Sequence, residues 1–436
     1  MRLLVTNTRV AQAYAIVRAL RPHAERLVAT TSGPRPLGIW PTCHAAFSRL
    51  VDRRYAVPDP ESDWTEGRIQ PENTPREQAF VDAVLEICER ERIDTVFPSS
   101  DPWIYVFSKN RERFARHGIL IPVPDYEVVT KPLDKYRSVE CAREVGFPAP
   151  LSFLAPSDAA VREIVANLPP PWVIKRRFTS GGRGLAVVSD ADELRAKTAL
   201  LRQHHGAPIV QEYVPGRERQ NFYLVLDRSG RAVSALTPKI LRYAGRVFRS
   251  SCVACESVAP HHLVDQAVRL VRHMGWWGGA TVQTKLDARD GLPKLMEVNP
   301  RLGTHLWYRT ALGVNEPLLC LKIARGERVD PVTDYPLGCV LLQPIEDVAD
   351  LAAELVDLGI YRLRTGLLGK APLDPANPPL SLRERFAALR AQYAGGRERL
   401  FSPYVRYGIE DPLPALIWTS KVFASRSQLL IRGLGK

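Results

Sequence analysis

The sequence has no apolar run approaching the roughly 20 residues that span a bilayer as a helix. Its seven cysteines are odd in number and scattered, which excludes a disulfide framework. The one close pair, Cys252 and Cys255 in "SCVACES", lacks a second pair or neighbouring histidine to complete a zinc site, so both are expected as buried thiols. No glycine-rich fingerprint follows the first strand, and this argues against NAD. Arg9 and Arg18 interrupt the apolar start "MRLLVTNTRVAQAYAIVRAL", which therefore does not resemble a secretion signal, and a cytoplasmic location is expected. A dense basic arm is also missing. The net charge of +13 comes mostly from arginine spread along the chain, a pattern that favours anionic ligands and supports no specific nucleic acid.

What is present alternates at first between strand and helix. "RLLVT", "RLVATTS" and "DTVFPSS" read as strands, separated by helices in "VAQAYAIVRALRP" and "REQAFVDAVLEICERERI". Residues 1–120 are thus expected to be a Rossmann-like domain built on a parallel sheet. From 121 to 330 the texture changes to short strands with a few helices, an α+β pattern. Residues 331–436 form a C-terminal accessory segment with a basic tail. The class is therefore α/β plus α+β.

The chemistry is concentrated in "KLMEVNPRLGT", residues 294–304. Side chains alternate faces along a strand, so Glu297, Asn299 and Arg301 share one face, and Met296 and Val298 are expected on the other. A carboxylate, an amide and a guanidinium in a row suit a divalent cation and phosphates, although a solvated edge strand has the same pattern. Upstream, "GGATVQTKLD" and the turn "ARDG" predict a hairpin that sets Gln283 opposite Glu297. In "VIKRRFTSGGRGLAVV", two β-rich segments flank Thr179, Ser180, Gly181, Gly182, Arg183 and Gly184, with Lys175 on the preceding strand. Such a loop presents backbone N–H groups to an anion, and a plain hairpin turn is the alternative.

In order, "PLDKYRSVECAREVGFPAP", "WVIKRRFTSGGRGLAVV", "IVQEYVPGRE", "GATVQTKLD" and "LMEVNPR" together resemble the ATP-grasp superfamily, particularly its biotin-carboxylase and carbamoyl-phosphate-synthetase-like ligases. The resemblance spans roughly residues 90–325. It implies an ATP-grasp fold of two α+β subdomains after the Rossmann-like domain. It also implies ATP and Mg2+ as cofactors, with Mn2+ as a substitute. Lys135 and Lys175 match the residues that contact ATP phosphates, and residues 179–184 match the loop that closes over them. Glu212, Tyr213 and Val214 match the linker that reads adenine, while Glu218 matches the ribose-binding acid. Gln283, Glu297 and Asn299 match the magnesium ligands, and Arg301 matches the arginine that stabilises phosphate or a reacting carboxylate. Many relatives have Glu where this chain has Gln283.

The implied reaction is carboxylate-amine ligation through an acyl phosphate, releasing ADP and phosphate, with a small-molecule acid and amine as substrates. A nucleotide-binding regulator that has lost turnover is the alternative, and a homodimer is compatible with either. In "KILRYAGRVFRSSC", Arg242, Arg246 and Arg249, with Lys239, are read as a loop over the reacting end of ATP that binds the acidic substrate. Asp101 is read as holding a substrate amine or capping a helix. The histidine pairs 204/205 and 261/262 are read as surface or capping residues. The tail "LPALIWTSKVFASRSQLLIRGLGK" sets Trp418, Val422 and Leu429 near one helical face, so membrane-surface contact competes with packing on the third segment.

Overall fold

The computed structural model describes residues 1–32, 42–60, 69–179, 184–216, 218–244, 251–367, 381–394 and 398–434. They divide into two compact units, one of residues 1–238 and 259–335, the other of 239–258 and 336–436.

In the first unit, β1 (Arg2–Val5), β2 (Arg26–Thr31), β3 (Arg53–Ala56) and β4 (Thr95–Phe97) form a parallel sheet in the order β3-β2-β1-β4. β1, β2 and β4 are buried apolar runs, as strands covered on both faces must be, whereas β3 is a largely exposed edge that the sequence did not announce. Helix Pro75–Glu91 starts at a capping box in which Thr74 and Glu77 satisfy each other's backbone N–H groups.

Two antiparallel sheets follow. β5 (Ser152–Leu154), β6 (Trp172–Lys175), β7 (Ala186–Val188) and β8 (Ile209–Glu212) are ordered β5-β8-β6-β7 over a small core that includes Val161, Trp172, Ile174 and Val210. β9 (Arg219–Leu226), β10 (Ala232–Leu236), β13 (Gly278–Leu286) and β14 (Pro293–Asn299) are ordered β10-β9-β13-β14. Phe222, Leu224, Val282, Leu295 and Val298 on one face of this last sheet share a core with Leu4, Val28 and Val96 of the parallel sheet. That shared core fixes the polar face of β13 and β14 relative to the C-terminal ends of β1 and β4.

The hairpin register follows the sequence, with Gln283 paired to Glu297, but a β-bulge interrupts β14 immediately afterwards. Thr284 pairs with Leu295, leaving Met296 as the extra residue. Leu295 and Val298 therefore enter the core and Met296 stays partly exposed, contrary to the simple alternation expected for it.

The second unit holds a mixed sheet, β11 (Lys239–Ala244), β12 (Ser251–Glu256), β15 (Val340–Leu342) and β16 (Arg399–Phe401), in the order β11-β12-β15-β16. Of "KILRYAGRVFRSSC", read from sequence as a loop, the described residues 239–244 and 251–252 belong to two strands of an antiparallel pair. Helices Pro344–Arg362, Leu382–Tyr393 and Pro412–Leu434 complete the unit. All seven cysteines are buried.

Candidate functional site

Lys135 is the first residue of helix Lys135–Glu144. Its preceding residue, Asp134, caps the helix by accepting from the backbone N–H of Tyr136 (3.0 Å) and Arg137 (3.3 Å), and also pairs with Arg177 (2.6 Å). This network places the Lys135 ammonium 3.5 Å from a Glu297 carboxylate oxygen, while it also donates to the Thr179 carbonyl. Lys175, at the end of β6, is buried beside the same carboxylate. Desolvation, with Lys135 and Lys285 nearby, pushes its ammonium down to about 8 against the opposing pull of Glu297.

Glu297 remains ionised. Its burial favours the neutral acid, but Lys135, a hydrogen bond from Asn299, Arg301 and Lys175 together hold its pKa below the ordinary carboxylate value. Along β14 the polar groups form a chain. Asn299 Nδ2 donates to Glu297 Oε1 (3.2 Å), and Arg301 Nη2 donates to Asn299 Oδ1 (3.2 Å). Arg301 Nε then lies 3.1 Å from Asp101, at the start of helix Asp101–Lys109 beyond β4. Asp101 is therefore an ion-pair partner of Arg301 and not the helix cap, which is Ser100.

Two residues of this face were missed in the sequence. Asn221 on β9 pairs with Gln283 as Glu297 does from the other side, so the three polar residues form one row across the sheet. One step along, Lys285 is flanked by Arg219 and Lys294 in a row of cations. Lys285 stands two residues after Gln283 in "VQTKLD", and the same alternation that selected Gln283 would have selected it. Its Nζ donates to the Val214 carbonyl (2.6 Å) and lies 4.9 Å from the Tyr213 ring centre, tying the linker after β8 to the sheet.

Glu212 is held at both oxygens, one accepting from Leu151 N–H (2.9 Å) and the other 3.1 Å from Arg289. Gly216 passes so close to β13 that a Cβ there would lie 2.6 Å from the Leu286 carbonyl oxygen, and its φ of +109° is one L side chains rarely adopt. Glu218 is exposed. Of the glycine loop, Thr179 and Gly184 are described, whereas Ser180, Gly181, Gly182 and Arg183 lie outside the described residues.

Of the predicted acceptor arginines, Arg242 is described. Arg242 is buried within the second unit, paired with Asp347 and donating to Gln392 (2.8 Å), so it is committed to that unit's interior. Arg246 and Arg249 lie outside the described residues. His261 Nδ1 accepts from Leu263 N–H (3.2 Å) just before helix Val264–His273, whose N-cap is Leu263.

An ionised carboxylate with amides beside and opposite it, next to two lysines, is a hard-oxygen set that fits magnesium accompanied by anionic phosphates. The Asn299 amide at present turns its nitrogen toward Glu297, so it would have to rotate to offer oxygen to a cation.

Residues 134–331 match the family model for the carbamoyl-phosphate synthase L chain, ATP binding domain. The matched segment is similar to that ATP-binding domain. It is 25% identical over 338 residues to the carbamoyl phosphate synthase large chain of Thermoplasma acidophilum, an alignment covering 72% of this chain and 32% of the relative. The chain thus spans about a third of the length of that relative, and less of others like it. Among solved structures, biotin carboxylase from Campylobacter jejuni, bound to β,γ-ATP, aligns with a TM-score of 0.60 at 17% identity, covering 78% of this chain and 74% of that one. L-amino acid ligase from Bacillus licheniformis aligns with a TM-score of 0.56 at 15% identity, covering 78% of each. These structures share the fold, and the polar face on β13 and β14 lies within the segment that the family model matches.

Proposed function

We propose that the protein is an ATP-dependent, ADP-forming ligase that joins a small carboxylic acid to an amine or similar nucleophile through an acyl phosphate. The observation that carries this reading is the convergence of Glu297, Asn299, Gln283, Lys135 and Lys175 on one sheet face. Glu297 and Asn299, with Gln283 opposite, would hold magnesium, which when bound draws charge from the phosphate oxygens. Lys135 and Lys175 neutralise the phosphates, and the linker at Glu212, Tyr213 and Val214 receives the base. Thr179 and Gly184 frame the loop proposed to cover the phosphates, and Glu218 would meet the ribose. Arg301 steadies the transferring phosphoryl group or the attacking carboxylate. This chemistry is positioning and charge neutralisation, and needs no protein nucleophile.

The activated acid is reactive toward nitrogen nucleophiles, so hydroxylamine in place of the natural amine should give a hydroxamate when acids are screened with ATP. ADP and phosphate should accumulate with it. AMP and pyrophosphate would overturn the acyl-phosphate mechanism. A regulator, for which the uncharged Gln283 is the supporting feature, would bind ATP and yield no product with any acid.

A further inference from the structure

The helix face that the sequence had offered to a membrane is packed within the second unit. Val422 is buried, and the Trp418 ring stacks on Tyr404 at 4.7 Å between centroids, with its Nε1 donating to Glu346 (2.7 Å). In the first unit, the nucleotide site leaves a cluster of ligand-type side chains unused. Helix Lys135–Glu144 carries Cys141 and Glu144 three residues apart, a spacing that sets both on one side of the helix. His273 ends helix Val264–His273 beside them. The Cys141 sulfur, a Glu144 carboxylate oxygen and a His273 ring nitrogen all lie within 4.8 Å of one another. Cys141 is 1% exposed, whereas the Glu144 and His273 side chains are 42% and 43% exposed, so the cluster has a buried thiol on one side and water on the other.

The two oxygens of Glu144 are divided between partners. Oε2 lies 2.6 Å from His273 Nε2, and Oε1 accepts from Arg137 Nη1 (3.2 Å). An exposed ion pair contributes little and needs no thiol beside it, whereas a metal ion uses all three groups. Zinc takes thiolate sulfur at about 2.3 Å and imidazole nitrogen or carboxylate oxygen at about 2.0–2.2 Å, which sets neighbouring ligand atoms roughly 3.3–3.6 Å apart in a tetrahedron. Glu144 and His273 reach that spacing by parting by under about 1 Å, a small rotation of half-exposed side chains. A thiolate, a carboxylate and a neutral imidazole carry two negative charges, which balance a dication. Sulfur and imidazole select a borderline-soft ion of the zinc class over magnesium, which prefers oxygen. Desolvation raises the pKa of the Cys141 thiol, and Arg137 acts against it by favouring the thiolate that a metal needs. Arg137 on Oε1 also orients the carboxylate in the manner of an outer-shell partner, leaving Oε2 for the ion.

We propose that Cys141, Glu144 and His273 bind a zinc-class dication, with water as the fourth ligand, and so clamp the helix that begins at Lys135 to helix Val264–His273. The inference is independent of the ligase reading, since none of the three residues belongs to the phosphate or magnesium face. The test uses the full chain, stripped with a chelator and titrated with Co2+, a coloured substitute for zinc. One equivalent should bring a near-ultraviolet sulfur-to-cobalt charge-transfer band together with the visible bands of four-coordinate cobalt. Zinc should remove both, and a large excess of magnesium should remove neither. Cys141→Ser should abolish the charge-transfer band, whereas Cys252→Ser, which alters the other close thiol pair, should keep it. Glu144→Gln and His273→Gln change half-exposed side chains and should spare the fold. Each should weaken zinc by at least the roughly 10- to 100-fold that loss of an outer partner costs, read by competition with a chromophoric chelator. Zinc should also raise the Tm of wild type and leave that of His273→Gln unmoved at the same concentration. No band in wild type would overturn the proposal, as would a band that survives in Cys141→Ser or is lost in folded Cys252→Ser. Zinc affinity unchanged in both Glu144→Gln and His273→Gln would overturn it equally.

Discussion

Lys175 provides a test of the nucleotide site that needs no knowledge of the acid or amine. Burial lowers its pKa from 10.5 to about 8, a change worth about 3 kcal/mol between its two protonation states. At pH 8.5 the free protein should therefore hold Lys175 about three-quarters neutral. ATP phosphates arriving beside it favour the ammonium, so binding should draw about three-quarters of a proton from solution at pH 8.5 and almost none at pH 6.5. Titration calorimetry with magnesium and a non-hydrolysable ATP analogue, repeated in buffers of different ionisation enthalpy, reads that number directly. The same group should make affinity fall as pH rises through about 8, toward tenfold per unit. Lys175→Met should remove the proton uptake and flatten the pH profile, while lowering affinity throughout. Uptake that is absent in wild type, or that persists in Lys175→Met, would refute the placement of Lys175 at the phosphates.

Asp101→Asn should leave the fold intact and lower kcat/KM by roughly 1–3 kcal/mol, about 5- to 150-fold, by releasing Arg301 from its buried partner. Steady-state kinetics on whichever acid supports phosphate release would check it, and unchanged kinetics would show that Asp101 does not position Arg301. Glu297→Gln should abolish turnover and metal-dependent nucleotide affinity, and titrations with and without magnesium would show whether it does. Glu346, buried in the second unit, has its pKa raised by desolvation from 4.5 to about 7. The fold prefers the protonated acid, so its contribution is fully present below about pH 4.5 and lost as pH rises through about 7, by about 3 kcal/mol. Glu346→Gln, which keeps an oxygen for Trp418, should remove that pH dependence in calorimetric melts at pH 5 and 8.

The sequence was most informative where one local rule governed the outcome. Period-two alternation and a four-residue turn were enough to place Gln283 against Glu297, because strand faces and hairpin register are properties of neighbouring residues. The bulge at Met296 escaped that rule, since one extra residue leaves no mark on composition. Asn221 was hidden for a different reason: its place beside Gln283 depends on β9 pairing with β13 across more than fifty residues. The misreading of Arg242 was of the same kind. Its strand joins a sheet completed by β15 and β16, and its partner Asp347 lies far along the chain, so an arginine read as part of a binding loop is instead charge-compensated in an interior.

The central claim, a phosphoryl transfer from ATP to a carboxylate, is tested most directly with acid labelled by 18O in its carboxyl group. If an acyl phosphate forms and is displaced by the amine, one labelled oxygen should appear in inorganic phosphate, in step with ADP. Label found in AMP, or phosphate released without label, would contradict the account.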